Sequence, residues 1–172
     1  MAKFKKKVND VLDKVIPHHC LFPDLASRVA ISSTSAPEWI PSTTELKEAG
    51  VKFKVKKNAT SFLDVTFHDG LMEIPTLKLY DWSESILRNI IAFEQCYMGT
   101  KFHVTFYTLF MDFLVNNPQD ILILQQKEII MNWLRGEEEA TQLFNKLNIK
   151  VNCNPNENYL SGLYEEVTDF AD

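Results

Sequence analysis

The chain has 172 residues, 45% of them hydrophobic and 24% charged, with 18 Lys and Arg against 23 Asp and Glu. Such a balance describes a globular chain able to bury its own core without metal or disulfide support, and it excludes the disordered, fibrous and membrane-spanning classes. The charge is unevenly spread: residues 1–57 carry 11 basic and 6 acidic side chains, residues 58–172 carry 7 and 17, so a local basic patch is compatible with the sequence while a dedicated nucleic-acid binder is not.

The first sixteen residues read as an amphipathic helix, with Val8, Val11, Leu12, Val15 and Ile16 at spacings of three and four and lysines in the first turns. Asn9, Asp10, Asp13 and Lys14 interrupt the apolar run, so it is not a signal peptide. Its stripe suits packing better than membrane attachment, because no aromatic anchor accompanies it. Pro17, Pro23, Pro37 and Pro41 with the run Ser32 to Ser35 make residues 17–41 a linker or irregular segment, with room for only a short helical piece near Leu25 to Ile31. The expected organisation is therefore a helix and linker over 1–39, then one domain over 40–172.

Ser42 followed three residues later by Glu45 is a capping box, and Gly50 stands where a left-handed helix terminus is wanted, which predicts a two-turn helix over 43–49. From Val51 the period becomes two, with Val51, Phe53 and Val55 on one face and Lys52, Lys54 and Lys56 on the other. A second strand over 62–67 reaches His68, Asp69 and Gly70; the Asp-Gly pair predicts a tight hairpin returning through Leu71 to Ile74. Pro75 breaks the ladder, leaving 76–80 as an edge continuation or a separate short strand.

Everything after Tyr80 reads as helical. Asp81 or Ser83 caps a helix with Ile86, Leu87, Ile90 and Ile91 as its stripe and Glu84 to Arg88 as a surface pair. The segment 102–116 is apolar nearly all round and is the expected central helix. Pro118 starts another, Ile129 to Leu134 forms a further helical piece ended by Gly136, Glu137 to Glu139 open the next, and 159–170 the last. The fold class expected is α+β, predominantly α: a helical bundle with a small antiparallel β-meander near residues 51–80.

Chemistry-bearing groups are few. His18, His19 and Cys20 are adjacent and lack a second ligand pair, so no metal site is expected, and no cofactor is implied. Cys20, Cys96 and Cys153 are odd in number and far apart, which suits thiols in a reducing compartment. His68 with Asp69 is explained by the turn, and no nucleophile elbow, HExxH, CxxC pair or glycine-rich phosphate loop occurs. Glu94 lies four positions after Ile90 and seven after Leu87, on the apolar stripe, where a carboxylate must be paired, hydrogen-bonded or protonated. It is read as a buried structural carboxylate at a helix junction; the alternative is an unrecognised hydrolase or transferase using Glu94 with His68 or His103. The face of Lys52, Lys54 and Lys56, extended by Lys57, is a candidate interaction surface for an acidic partner or anionic lipid, unless those lysines only guard an exposed strand edge. Asn58, Ala59 and Thr60 form a glycosylation sequon that matters only on the secretory path.

The blocks IPSTTELKEAGVKFK from Ile40, FLDVTF from Phe62, IPTLKLYDWSESILRNIIAFEQC from Ile74 and LFNKL from Leu143, with EEEATQLF from Glu137 and YEEV from Tyr164, together resemble the plant domain-of-unknown-function family 247. The resemblance implies a predominantly helical plant protein with a small strand insertion and no established enzymatic activity, and the chain is expected not to be an enzyme. It also implies a recognition or interaction module like the members that act in self-incompatibility, with an unknown protein partner. Against that pattern the chain reads as a truncated member without the family's N-terminal half and C-terminal membrane anchor, placed in the cytoplasm or at the periphery of a membrane with at most weak lipid contact. The family's usual glycine before Ile129 is Glu128 here, and its serine before the acidic helix start is absent. Without the N-terminal half, the central helix is expected to leave an exposed apolar patch.

Overall fold

The computed structural model describes residues 39–97 and 99–172. The expected helix and linker, with His18, His19 and Cys20, lie outside the described residues.

Helix α1, Thr43–Glu48, begins as its residues dictate: the Ser42 hydroxyl accepts from the Glu45 amide while the Glu45 carboxylate accepts from the Ser42 amide at 2.8 Å. That bonding holds the Glu45 carboxyl below its ordinary 4.5, the Ser42 hydroxyl being the main cause. Its far end is a Schellman motif, with the Gly50 amide donating to Lys47 and the Val51 amide to Leu46, and Gly50 at φ +99°. Strand β1, Lys52–Val55, follows at once. β2, Thr66–His68, and β3, Leu71–Ile74, form the expected hairpin across Asp69 and Gly70, both at positive φ.

The class is α+β and helix-dominated, as expected, yet the strands do not make a meander. β3 sits between its neighbours in the order β1-β3-β2, antiparallel to β2 but parallel to β1. The physical reason is burial: parallel register puts Phe53 beside Met72 and Val55 beside Ile74 on the covered face, and keeps Lys52 and Lys54 outside.

A second correction concerns the region after Tyr80. β4, Leu77–Leu79, is a separate strand, and it pairs in parallel with β5, Ile130–Asn132, in the segment expected to be helical. Between them run α2, Ser83–Cys96, α3, His103–Leu114, and α4, Pro118–Gln126. α4 starts with a capping box of Asn117 and Asp120 and ends in a second Schellman motif, in which the Glu128 amide donates to Gln125 and the Ile129 amide to Leu124. Glu128, at φ +60°, occupies the position that Gly50 fills after α1, and the reversal it makes sends Ile129 and Ile130 away from the helix and into the strand. Ile129 and Ile130 are adjacent and both buried, too short an apolar run for periodicity to separate strand from helix.

α5, Glu137–Leu147, and α6, Ser161–Ala171, complete the structure, with a 3₁₀ turn at Pro155–Glu157 between them. α3 is the centre: Val104, Phe106, Tyr107, Phe110, Met111 and Leu114 are all buried. α2 and α5 pack on it, Phe62 meets Tyr107 edge-on at 5.0 Å, and Tyr164 of α6 packs against Phe110 and Phe113. The expected apolar patch on this helix is therefore not present; His103 alone among its residues is exposed. The end of α6 closes on the hairpin, where Phe170 lies edge-on to Phe67 at 5.8 Å and against Gly70.

Candidate functional site

Glu94 is buried, at 7% exposure, near the end of α2. One carboxylate oxygen accepts from the Val104 amide at 3.0 Å; the other accepts from the Thr105 amide at 2.8 Å and the Thr105 hydroxyl at 2.7 Å. These are the second and third residues of α3, whose preceding residue, Phe102, is left-handed and provides no side-chain cap. The carboxylate of one helix thus supplies the cap of the next, where unsatisfied amides and the helix dipole favour negative charge. His103 turns to the Tyr159 ring, 5.1 Å away, and His68 is in the hairpin turn, exposed and 3.1 Å from Asp69.

A second carboxylate of the same kind is Asp120, with no exposed surface. Its Oδ1 accepts from the amide and hydroxyl of Thr44 at 2.8 and 2.6 Å, and its Oδ2 from the amides of Asn116 and Asn117 at 3.0 Å each. It therefore caps α1 from 76 residues away as well as its own helix. Sequence reading passed over it, although the Asn117-Asp120 spacing is itself a capping-box signal; only the tertiary partner, Thr44, was out of reach.

The lysine face is partly neutralised. Lys54 pairs with Glu73 at 3.0 Å and Lys56 with Asp64 at 2.6 Å, while Lys52 is exposed on the same strand face as Lys54. Beyond Lys56, an open cleft of about 480 Å³ lies between the 56–62 loop, Pro75, Thr76 and Glu128. Glu94 does not line it.

The outward face of the β4–β5 sheet carries a feature that sequence reading missed. Tyr80 and Trp133 continue the paired strands, and their rings lie 6.4 Å apart at 12°; Trp82 also stacks with Tyr80, at 4.9 Å and 16°. Trp133 is 66% exposed, and Met131, two residues earlier on the same face, is exposed too. The signal was the alternation of Met131 and Trp133, which means nothing until β5 is known to be a strand beside β4. Among the described residues no group of His, Cys, Asp and Glu is placed to hold a metal, and no helix is long and apolar enough to cross a membrane.

The sequence profile of DUF247, described as a plant protein of unknown function, matches residues 3–172. The chain is similar to the UPF0481 protein At3g47200 of Arabidopsis thaliana, 28% identical over 134 residues, 77% of this chain and 28% of that protein. It is also similar to the putative UPF0481 protein At3g02645 of the same plant, 27% identical over 114 residues, 65% of this chain and 21% of that protein. The matched stretch thus spans about a quarter of the length of these relatives. No solved structure matches.

Proposed function

Since the chain belongs to the plant family DUF247, a family of unknown function, we propose that it is a non-catalytic recognition module that works by surface contact with another protein. The observation that carries this reading is the aromatic column of Trp82, Tyr80 and Trp133, open to solvent at Trp133 and continued by Met131. Exposed tryptophan and tyrosine on a rigid sheet are the residue types that dominate contact energies between proteins. The disposition of the carboxylates supports the same reading. Glu94 and Asp120 are engaged by helix N-termini, which gives each a structural task in place of an acid-base one. Some members of the family act in self-incompatibility, and that gives the proposal its specific form, recognition of a partner molecule by a helical scaffold.

Lys52, Lys54 and Lys56 form a second face for contact, reduced by the pairs to Glu73 and Asp64. Affinity capture from plant tissue tests both faces, using the wild-type chain, Trp133→Ala, and a variant with Lys52, Lys54 and Lys56 changed to Glu. A partner retained by the wild type and lost with Trp133→Ala is the expected result. Turnover of a small substrate that disappears in Glu94→Gln, in a protein that still melts cooperatively, would overturn the proposal.

A further inference from the structure

The cleft beside β1 is walled by two elements distant in sequence. On one side the loop after β1 brings Lys56, Lys57, Thr60 and Phe62; on the other stand Pro75 and Glu128, the residue after the C-cap of α4. Val55, Phe62 and Pro75 supply the apolar part of its lining.

The charges of this cleft are not equivalent. Lys56 is matched by Asp64 at 2.6 Å. Lys57 and Glu128 both line the cleft, are exposed and form no ion pair, with each other or with any described residue, so one positive and one negative residue stand unmatched on separate walls. Glu128, moreover, occupies a left-handed position, φ +60°, that favours glycine, so an acidic residue stands at this wall at a conformational cost.

We propose that this cleft binds a zwitterionic, amino-acid-like ligand, a single α-amino acid or a short peptide, with its carboxylate toward Lys57, its ammonium toward Glu128 and its side chain on Phe62 and Pro75. Charge selects this class. A phosphate or other anion meets Glu128, a simple cation meets Lys57, and a neutral apolar molecule leaves both groups unmatched. The volume of about 480 Å³ falls within the usual range for small-molecule sites. The Thr60 hydroxyl, which forms no hydrogen bond with a described residue, stands at the same wall as a further polar contact. This inference does not depend on the protein-contact reading, and the failure of either leaves the other standing.

The test is a ¹⁵N–¹H correlation titration of the whole chain with phenylalanine to roughly 10 mM, above the millimolar dissociation constant expected of so small a ligand. N-acetylphenylalanine and phenylalanine amide, each lacking one charge, serve as controls. Saturable shifts are expected at residues 55–62, 75–76 and 128 with phenylalanine, weakened by about three- to fivefold for either control and for either Lys57→Glu or Glu128→Gln, the range an exposed ion pair supplies. The double variant Lys57→Glu with Glu128→Lys, which exchanges the two charges, should recover the wild-type affinity. Absence of saturable shifts, or equal response to the two controls and the zwitterion, overturns the proposal.

Discussion

Replacing Glu94 by Ala removes the acceptor of three hydrogen bonds at the start of α3, two of them from backbone amides of the buried residues Val104 and Thr105. A donor left buried without a partner costs about 1–3 kcal/mol, and the lost interaction of the carboxylate with the helix dipole adds about 0.5–1 kcal/mol. Water cannot easily reach these amides, because the residues that carry them are covered. The three bonds share one acceptor and do not add, so the expected loss is about 3–5 kcal/mol. In a chain of this size that corresponds to a fall in Tm of roughly 10–15 °C. Glu94→Gln should lie between, at about 2 kcal/mol, since its oxygen can keep the Thr105 pair while its amide group faces the Val104 N–H. Calorimetry with hydrogen exchange at Val104 and Thr105 reads both quantities. A Glu94→Ala protein melting within about 3 °C of wild type, with those amides still protected, would refute the capping argument.

Asp120→Asn should be costlier than a surface change of the same kind, about 2–4 kcal/mol by urea denaturation, because in either orientation the amide nitrogen meets two donors, from Thr44 or from Asn116 and Asn117. Gly70→Ala should lose about 2–4 kcal/mol in the same assay, since a methyl group at φ +74° would also meet the Phe170 ring. Burial raises the Asp112 carboxyl above its ordinary 3.8, the neighbouring Asn148 side chain offsetting only part of that rise. The native state then holds that proton more tightly than the unfolded chain, and its stabilising contribution falls as pH rises from about 3.8 through the higher native value. Asp112→Asn should accordingly gain stability relative to wild type between pH 3 and pH 7, and a difference in urea midpoint that stays constant over that range would contradict the assignment.

Local chemistry was legible in the sequence wherever a signal and its partner lie within a few residues. The Ser42–Glu45 box, the glycine after α1, the Asp69-Gly70 turn and the start of α4 at Pro118 are all of this kind. The central helix was legible because its apolar residues cover every side. Pairings across distance were not. β1 with β3 and β4 with β5 are parallel, and parallel neighbours need a crossover that leaves no local mark on either strand. The same reason hid the site features: the partner of Asp120 is 76 residues away, and the aromatic column exists only once Tyr80 and Trp133 are neighbours. Glu94 differs, because its spacing along α2 alone places it on the covered face, and its acceptors' partners follow within eleven residues.

The join between β4 and β5, where the Trp133 amide donates to the Leu79 carbonyl at 2.9 Å, closes a loop that holds α2, α3 and α4. Two of the chain's three tryptophans, Trp82 and Trp133, stack with Tyr80 at that seam. Nature has thereby fitted the chain with an optical gauge: near-ultraviolet dichroism from these rings should develop late in refolding, after the far-ultraviolet helical signal, and mark the moment at which the longest crossover is sealed.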